Sequence, residues 1–383
     1  DTGREETPHA RQCEERMLSL ADSTRRLCNW IILFLRANPG RWYRQNLVHD
    51  RGVEMDMFGK VIGAVLLGGL AACSPTSPST ETFVPEHFSA EPALELFELL
   101  SSDEMQGRQV GSAESATARA MIIERLEVLG VEPVGASFEY PFKYGPFRDP
   151  ETGAAAVPDK DGVNVIGVIP GSQSDGIAMV ISAHYDHLGV RDGEIYNGTD
   201  DNASGVVGAL AIAEHFSKTT PMHDIHFVFF DAEEDGFGGA RDFIANPPIS
   251  LDAVALNLNF DMVSRGDNGI LWASGTHHWP DMIPRVTAVA ETAPVTIQLG
   301  FDQGDGREDW TLLSDHAVFF RAGIPHIYFG VEDHPDYHKP TDDFENVDQT
   351  WFLKSVDTLI MMSEAMDEDL AEIFDMRQAA IED

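Results

Sequence analysis

Four stretches carry side chains suited to divalent-cation chemistry: His184-Tyr185-Asp186, Asp200-Asp201-Asn202-Ala203-Ser204-Gly205, Asp231-Ala232-Glu233-Glu234, and Asp261. Imidazole nitrogen and carboxylate oxygen are the donors that bind zinc-like ions. Residues two apart in an extended segment point the same way. Asp186 is therefore expected to accept a hydrogen bond from the His184 ring nitrogen that does not face a metal, which fixes the tautomer. Neighbours point to opposite sides, so Glu233 and Glu234 can divide two tasks, one binding a cation and the other facing a water on it. A carboxylate at Asp200 or Asp201 meets the start of a helix, where Gly205 leaves room for close approach, and can bridge two cations. Each group alone arises easily by chance in so acidic a chain. Their joint placement does not.

The placement follows from the elements around them. Runs rich in Val, Ile and Phe at 163–169, 177–183, 225–230, 253–260 and 325–329 read as buried strands. Helical spacing marks 94–100, 116–129 and 204–216, the last with Val206, Ala209, Leu210, Ala213 and Phe216 on one face and Asn202 as cap. This alternation predicts a single-domain α/β fold, a three-layer sandwich with a mainly parallel central sheet and helices on both faces. In such sheets function collects beyond the carboxyl ends of the strands. The second, third and fourth runs end in His184, Asp231 and Asp261, so three strands deliver these groups to one edge.

In order and type, these motifs resemble the di-zinc exopeptidases that include bacterial leucyl aminopeptidases, aminopeptidase Y and glutamate carboxypeptidase II. The likeness runs from about residue 94 to residue 359 and begins with Ser102-Asp103-Glu104-Met105-Gln106-Gly107-Arg108. It implies two Zn²⁺ per chain, one held by His184 and Asp261, the other by Glu234 and His338, with Asp201 bridging them. Asp201 is chosen over Asp200 because the family pattern is Asp-x-x-Ser-Gly. The resemblance further makes Glu233 the general base, Asp186 the partner that orients His184, and Tyr337 a group that steadies the tetrahedral intermediate. Ser314-Asp315-His316 looks like another family element. His187, His277, His278 and His334 are expected to be surface or supporting residues and stand outside the ligand set. The implied activity is an aminopeptidase that releases N-terminal residues from peptides. The alternatives are a glutaminyl cyclase of the same fold, a carboxypeptidase or dipeptidase, and an inactive binding homologue.

Upstream of this region the chain differs in kind. Residues 61–70 read VIGAVLLGGL, preceded by Met57 and Lys60 and followed by Ala71-Ala72-Cys73. The run is shorter than the roughly 20 apolar residues that span a bilayer, and small residues precede the cysteine. The expected organisation is a non-native leader at 1–56, a lipoprotein signal peptide at 57–72, a Pro/Ser/Thr tether at 73–90 with lipid on Cys73, and a catalytic domain at 91–383. Export follows, with anchoring to the outer membrane facing the periplasm or cell surface, because Ser74 carries no inner-membrane retention signal. Residues 1–56 are charge-neutral, so the net charge of -38 belongs to the remainder. Such a surface repels nucleic acid, leaving peptides as expected partners of a monomer. Cys13, Cys28 and Cys73 all precede the catalytic domain, which excludes a disulfide or a cysteine nucleophile there.

Overall fold

Strands that are apolar at every position must be covered on both sides, and this requirement sets the centre of the molecule. The computed structural model describes residues 83–145, 160–302 and 306–382. The expected leader, signal peptide, Cys73 and the tether up to residue 82 lie outside the described residues. The strands are β1 (Glu132–Pro133), β2 (Glu139–Tyr144), β3 (Lys160–Ile169), β4 (Ala178–His184), β5 (Gly189–Arg191) and β6 (Glu194–Tyr196). They continue with β7 (Asp224–Phe230), β8 (Val254–Phe260), β9 (Ile270–Ser274), β10 (Thr296–Leu299) and β11 (His326–Gly330).

The main sheet has the order β1-β3-β7-β4-β8-β11-β9-β10, with β2 also on β3, while β5 and β6 form a separate hairpin. Its centre, β7-β4-β8-β11, is parallel. Towards the edges β3 runs antiparallel to β7, β1 and β2 antiparallel to β3, and β9 antiparallel to β11. The sheet is thus mixed, with the expected parallel character in its centre and in the β9-β10 pair. The outer strands lack continuous apolar runs because one face meets water: β2 alternates exposed and buried residues over most of its length, and β10 alternates exposed and half-buried ones.

Eight helices of the described residues flank the sheet: α1 (Ala90–Leu100), α2 (Ala113–Leu129), α3 (Gly205–Thr219), α4 (Gly238–Ala245), α5 (Ile283–Ala290), α6 (His316–Arg321), α7 (Gln349–Glu368) and α8 (Leu370–Glu382). Strand alternation sorts them. Ile181, Phe227 and Phe229 point into a large core with Leu210, Val356 and Leu359, whereas Val180, Val228 and Phe230 point into a smaller one with Ala240, Phe243 and Phe319. The fold is the expected three-layer α/β arrangement. No described helix is long and apolar enough to cross a membrane.

Two local features bear on the site. The Asn202 side-chain oxygen accepts from the Gly205 N–H at 2.9 Å, capping α3, while its amide donates to the Phe260 carbonyl at 2.9 Å. One side chain thus ties the helix start to the end of β8. Ahead of α1, Phe88 is buried in the large core, Ser89 Oγ donates to Glu214 at 2.6 Å and the His87 ring meets Asp357 at 2.9 Å. The folded unit therefore begins before residue 91, and the last residues expected as tether belong to it.

Candidate metal centre

Loops leaving β4, β7 and β8, together with the start of α3, converge at one edge of the sheet. His184 Nε2 lies 3.3 Å from Asp201 Oδ1 and 3.3 Å from Asp261 Oδ1. On the other side of the same carboxylate, His338 Nε2 lies 3.1 Å from Asp201 Oδ2 and 3.4 Å from Glu234 Oε2. With bonds of about 2.0–2.2 Å, donors around a tetrahedral ion sit roughly 3.3 Å apart. These spacings match that edge length, so the residues fit a pair of zinc-like ions sharing Asp201. Asp200, the alternative, is turned away: its Oδ1 accepts from the Ser264 N–H and Oγ–H at 2.7 and 2.8 Å.

Electrostatics fit the same use. Burial pushes the Asp201 carboxyl up, but His187, His184 and His338 outweigh it and hold Asp201 well below the usual carboxylate range. Burial likewise raises Asp261 and Glu233, the latter well above its usual value with Asp315, Glu234 and Asp261 adding to the rise. Asp315 is buried, neither of its oxygens has a hydrogen-bond partner, and burial pushes it well above the carboxylate range. So many acids in one place repel each other unless cations or protons intervene.

Supporting contacts hold this charge in place. Asp186 departs from the expected role: its carboxylate is 3.7 Å from His184 Nδ1, which instead donates to the Asp186 backbone carbonyl at 3.1 Å. The carboxylate accepts from the Glu233 and Glu234 N–H groups at 3.0 and 3.4 Å. Main chain rather than side chain thus reaches the ring. Asp342 accepts from the backbone N–H groups of Asp200 and Asp201, at 3.0 to 3.2 Å, and burial with the Asp200 charge pushes it up to about 6. Arg108 is buried and donates to the carbonyls of Leu100, Tyr185, Asn197 and Gly198 at 2.5 to 2.9 Å. Burial lowers it to about 10 against the pull of Asp186, Asp201, Asp342 and Glu234. Ala232, Met262 and His338 all adopt positive φ, between 53° and 63°. Such strain on residues with a Cβ gathers where a site dictates the backbone.

A cleft of about 270 Å³ opens over these groups, lined by Asp201, Glu233, Glu234, Asp261, Tyr337 and His338 and walled by Phe237, Met262, Trp310, Leu313, Tyr328 and Val331, with Asp333 also lining it. Every expected ligand borders it except His184, which is buried beneath Asp201. The Tyr337 ring stacks on His338 with centroids 4.0 Å apart. Ser314 accepts from Asn259 at 3.0 Å, and the N–H of His316 is directed to the Trp310 carbonyl at 2.9 Å. Set aside on sequence, His187 is buried with Nδ1 2.6 Å from Glu234 Oε1. His277 and His278 lie elsewhere, and His334 faces Asp200 at 3.2 Å. The signal for His187 was its place one residue after Asp186, on a segment already leading into the site.

Residues 164–363, more than half of the chain, match the Peptidase family M28 model. The chain belongs to this family. Over 149 residues it is 29% identical to an aminopeptidase of Pseudomonas aeruginosa, a stretch covering 38% of this chain and 27% of that protein. Other curated relatives, vacuolar membrane proteases among them, are spanned over 10% to 40% of their lengths. Among solved structures, a zinc aminopeptidase from Bacillus subtilis aligns with a TM-score of 0.57 at 16% identity, covering 72% of this chain and 95% of its own. Porphyromonas gingivalis glutaminyl cyclase aligns at 0.58 and 20% identity, covering 72% and 98%. At these identities the likeness establishes the shared M28-type fold.

Proposed function

We propose that this M28 chain is a zinc-dependent aminopeptidase that binds two Zn²⁺ ions. His184 and Asp261 would hold the first ion and Glu234 and His338 the second, with Asp201 shared between them. The observation that carries this reading is the division of Asp201, one oxygen 3.3 Å from His184 and the other 3.1 Å from His338. Bound zinc supplies Lewis acidity, polarising the scissile carbonyl and acidifying water.

The chain's own residues do the rest. Glu233, in the cleft and raised by burial, takes a proton from the attacking water and passes it to the departing amine. Asp186 holds the Glu233 and Glu234 backbone and so aims both carboxylates. Tyr337, whose hydroxyl burial keeps protonated, donates to the oxygen that gains charge. A free α-amino group, cationic at neutral pH, suits a cleft lined by Asp261 and Asp333, and the apolar wall suits an apolar first residue.

The test is to assay the purified chain on aminoacyl anilides and their N-acetylated forms, with and without chelator. Free amines should be cleaved, blocked ones spared, and zinc should restore chelated protein. Equal cleavage of blocked substrates overturns the aminopeptidase assignment. Cyclisation of N-terminal glutamine with one zinc per chain would mark the cyclase named by the second fold match. Export and a lipid on Cys73 rest on residues 57–73; fatty-acid labelling that persists in Cys73→Ser would refute them.

A further inference from the structure

We propose that His187 is a further ligand of the second ion, so that the two ions are held unequally; this rests on the di-zinc reading above. The side chain of His187 is wholly buried, and its Nδ1 lies 2.6 Å from Glu234 Oε1 and 3.7 Å from Asp201 Oδ2. One donor atom each from His187, Asp201 and Glu234 lie within 4.8 Å of one another. At 2.6 Å a hydrogen bond would be expected, yet neither ring nitrogen of His187, nor Glu234 Oε1, has a hydrogen-bond partner. A ring nitrogen and a carboxylate oxygen this close need a proton or a cation between them. A cation taking one donor from each of His187, Asp201 and Glu234 would satisfy all three, and imidazole nitrogen with carboxylate oxygen is a zinc-type donor set.

The ring is also fixed from behind. Gly198 has φ +60°, and a Cβ there would stand 2.3 Å from His187 Cγ, so the backbone lies directly on the imidazole. That backbone is held in turn by Arg108, which donates to the Gly198 carbonyl at 2.8 Å. His187 faces His338 edge-on, with centroids 5.8 Å apart. The second ion thus has four protein donors, Asp201, Glu234, His338 and His187. The first would have three, His184, Asp201 and Asp261, so fewer protein donors would hold it.

The experiment titrates chelator-stripped full-length protein with Zn²⁺ and, in parallel, Co²⁺, reading stoichiometry, the two dissociation constants and the cobalt visible absorption. Wild type should bind two equivalents of unequal affinity. His187→Ala and the bulkier His187→Gln, each checked for folding by circular dichroism, should weaken the tighter equivalent by more than ~100-fold. That exceeds the about 10–100-fold typical of losing a partner outside the coordination sphere. The cobalt spectrum of that equivalent should change, and the weaker equivalent should keep its affinity. Unchanged affinities in either folded variant overturn the proposal, as does weakened binding with an unaltered cobalt spectrum, which would make His187 a positioning group for Glu234. Wild type that binds no metal at all would instead overturn the peptidase reading itself.

Discussion

The two halves of the metal centre are built from different material. His184 closes β4 and Asp261 directly follows β8, so this half stands on central strands, and the His184 side chain is 0% exposed. Glu234 and His338 come from loops, and the His338 side chain is 40% exposed. Strand-borne donors inherit rigidity from a packed sheet, whereas loop-borne Glu234 depends on a prop, the Asp186 carboxylate that accepts from its backbone. The difference teaches that precision at one edge is reached by two routes, with Asp201 and its Asp342 backing joining them.

The largest effect is expected from removing that joint. Asp201→Asn should empty both halves, with zinc content by elemental analysis falling towards zero. Its turnover should drop beyond the ~10⁴-fold that bounds loss of a positioned base. If one equivalent stays tightly bound, the halves are independent and the comparison fails. Glu233→Gln should separate chemistry from binding: kcat falls about 10²- to 10⁴-fold while both zinc equivalents remain. A near wild-type kcat removes Glu233 from the mechanism.

Arg108→Met sharpens the contrast between strand and loop. Four buried carbonyls lose their donor, each worth about 1–3 kcal/mol when left unsatisfied, so stability should fall by at least ~3 kcal/mol in denaturant titration. The His338 side should lose zinc before the His184 side.

The effect furthest from the metal centre concerns the framework itself. Burial lowers His226 in β7 and His316 in α6 to about 4, and His326 in β11 well below its usual value. Below about pH 6.5 the unfolded chain takes protons that the folded chain refuses, so stability is full above 6.5 and is lost as pH falls towards 4. The slope should approach ~1.4 kcal/mol per pH unit for each histidine. His226→Gln should flatten it in melts of metal-free protein; an unchanged slope would show that His226 does not contribute.

What could be read from the sequence follows the same division. The expected runs ending at 183, 230, 260 and 329 lie within a residue of the ends of β4, β7, β8 and β11, because strands covered on both faces leave an unmistakable apolar run. That His184, the Glu233-Glu234 pair and Asp261 meet was legible from the strands that end beside them, whereas His338, and Asp201 rather than Asp200, came from the family resemblance. The Asp186 contact was not, because β4 ends at His184 and strand periodicity does not extend past it. Asp342, Arg108 and the burial of His187 depend on contacts between segments far apart in sequence, and no local pattern encodes those. Half-exposed edge strands such as β10 have only weak alternation to betray them.

The prop at Asp342 grips the Asp201 backbone from 141 positions further along the chain. A ribosome must therefore release nearly the whole folded unit before the shared carboxylate is braced. The carboxylate shared by the two halves is thus among the last parts of the site to be fixed during synthesis.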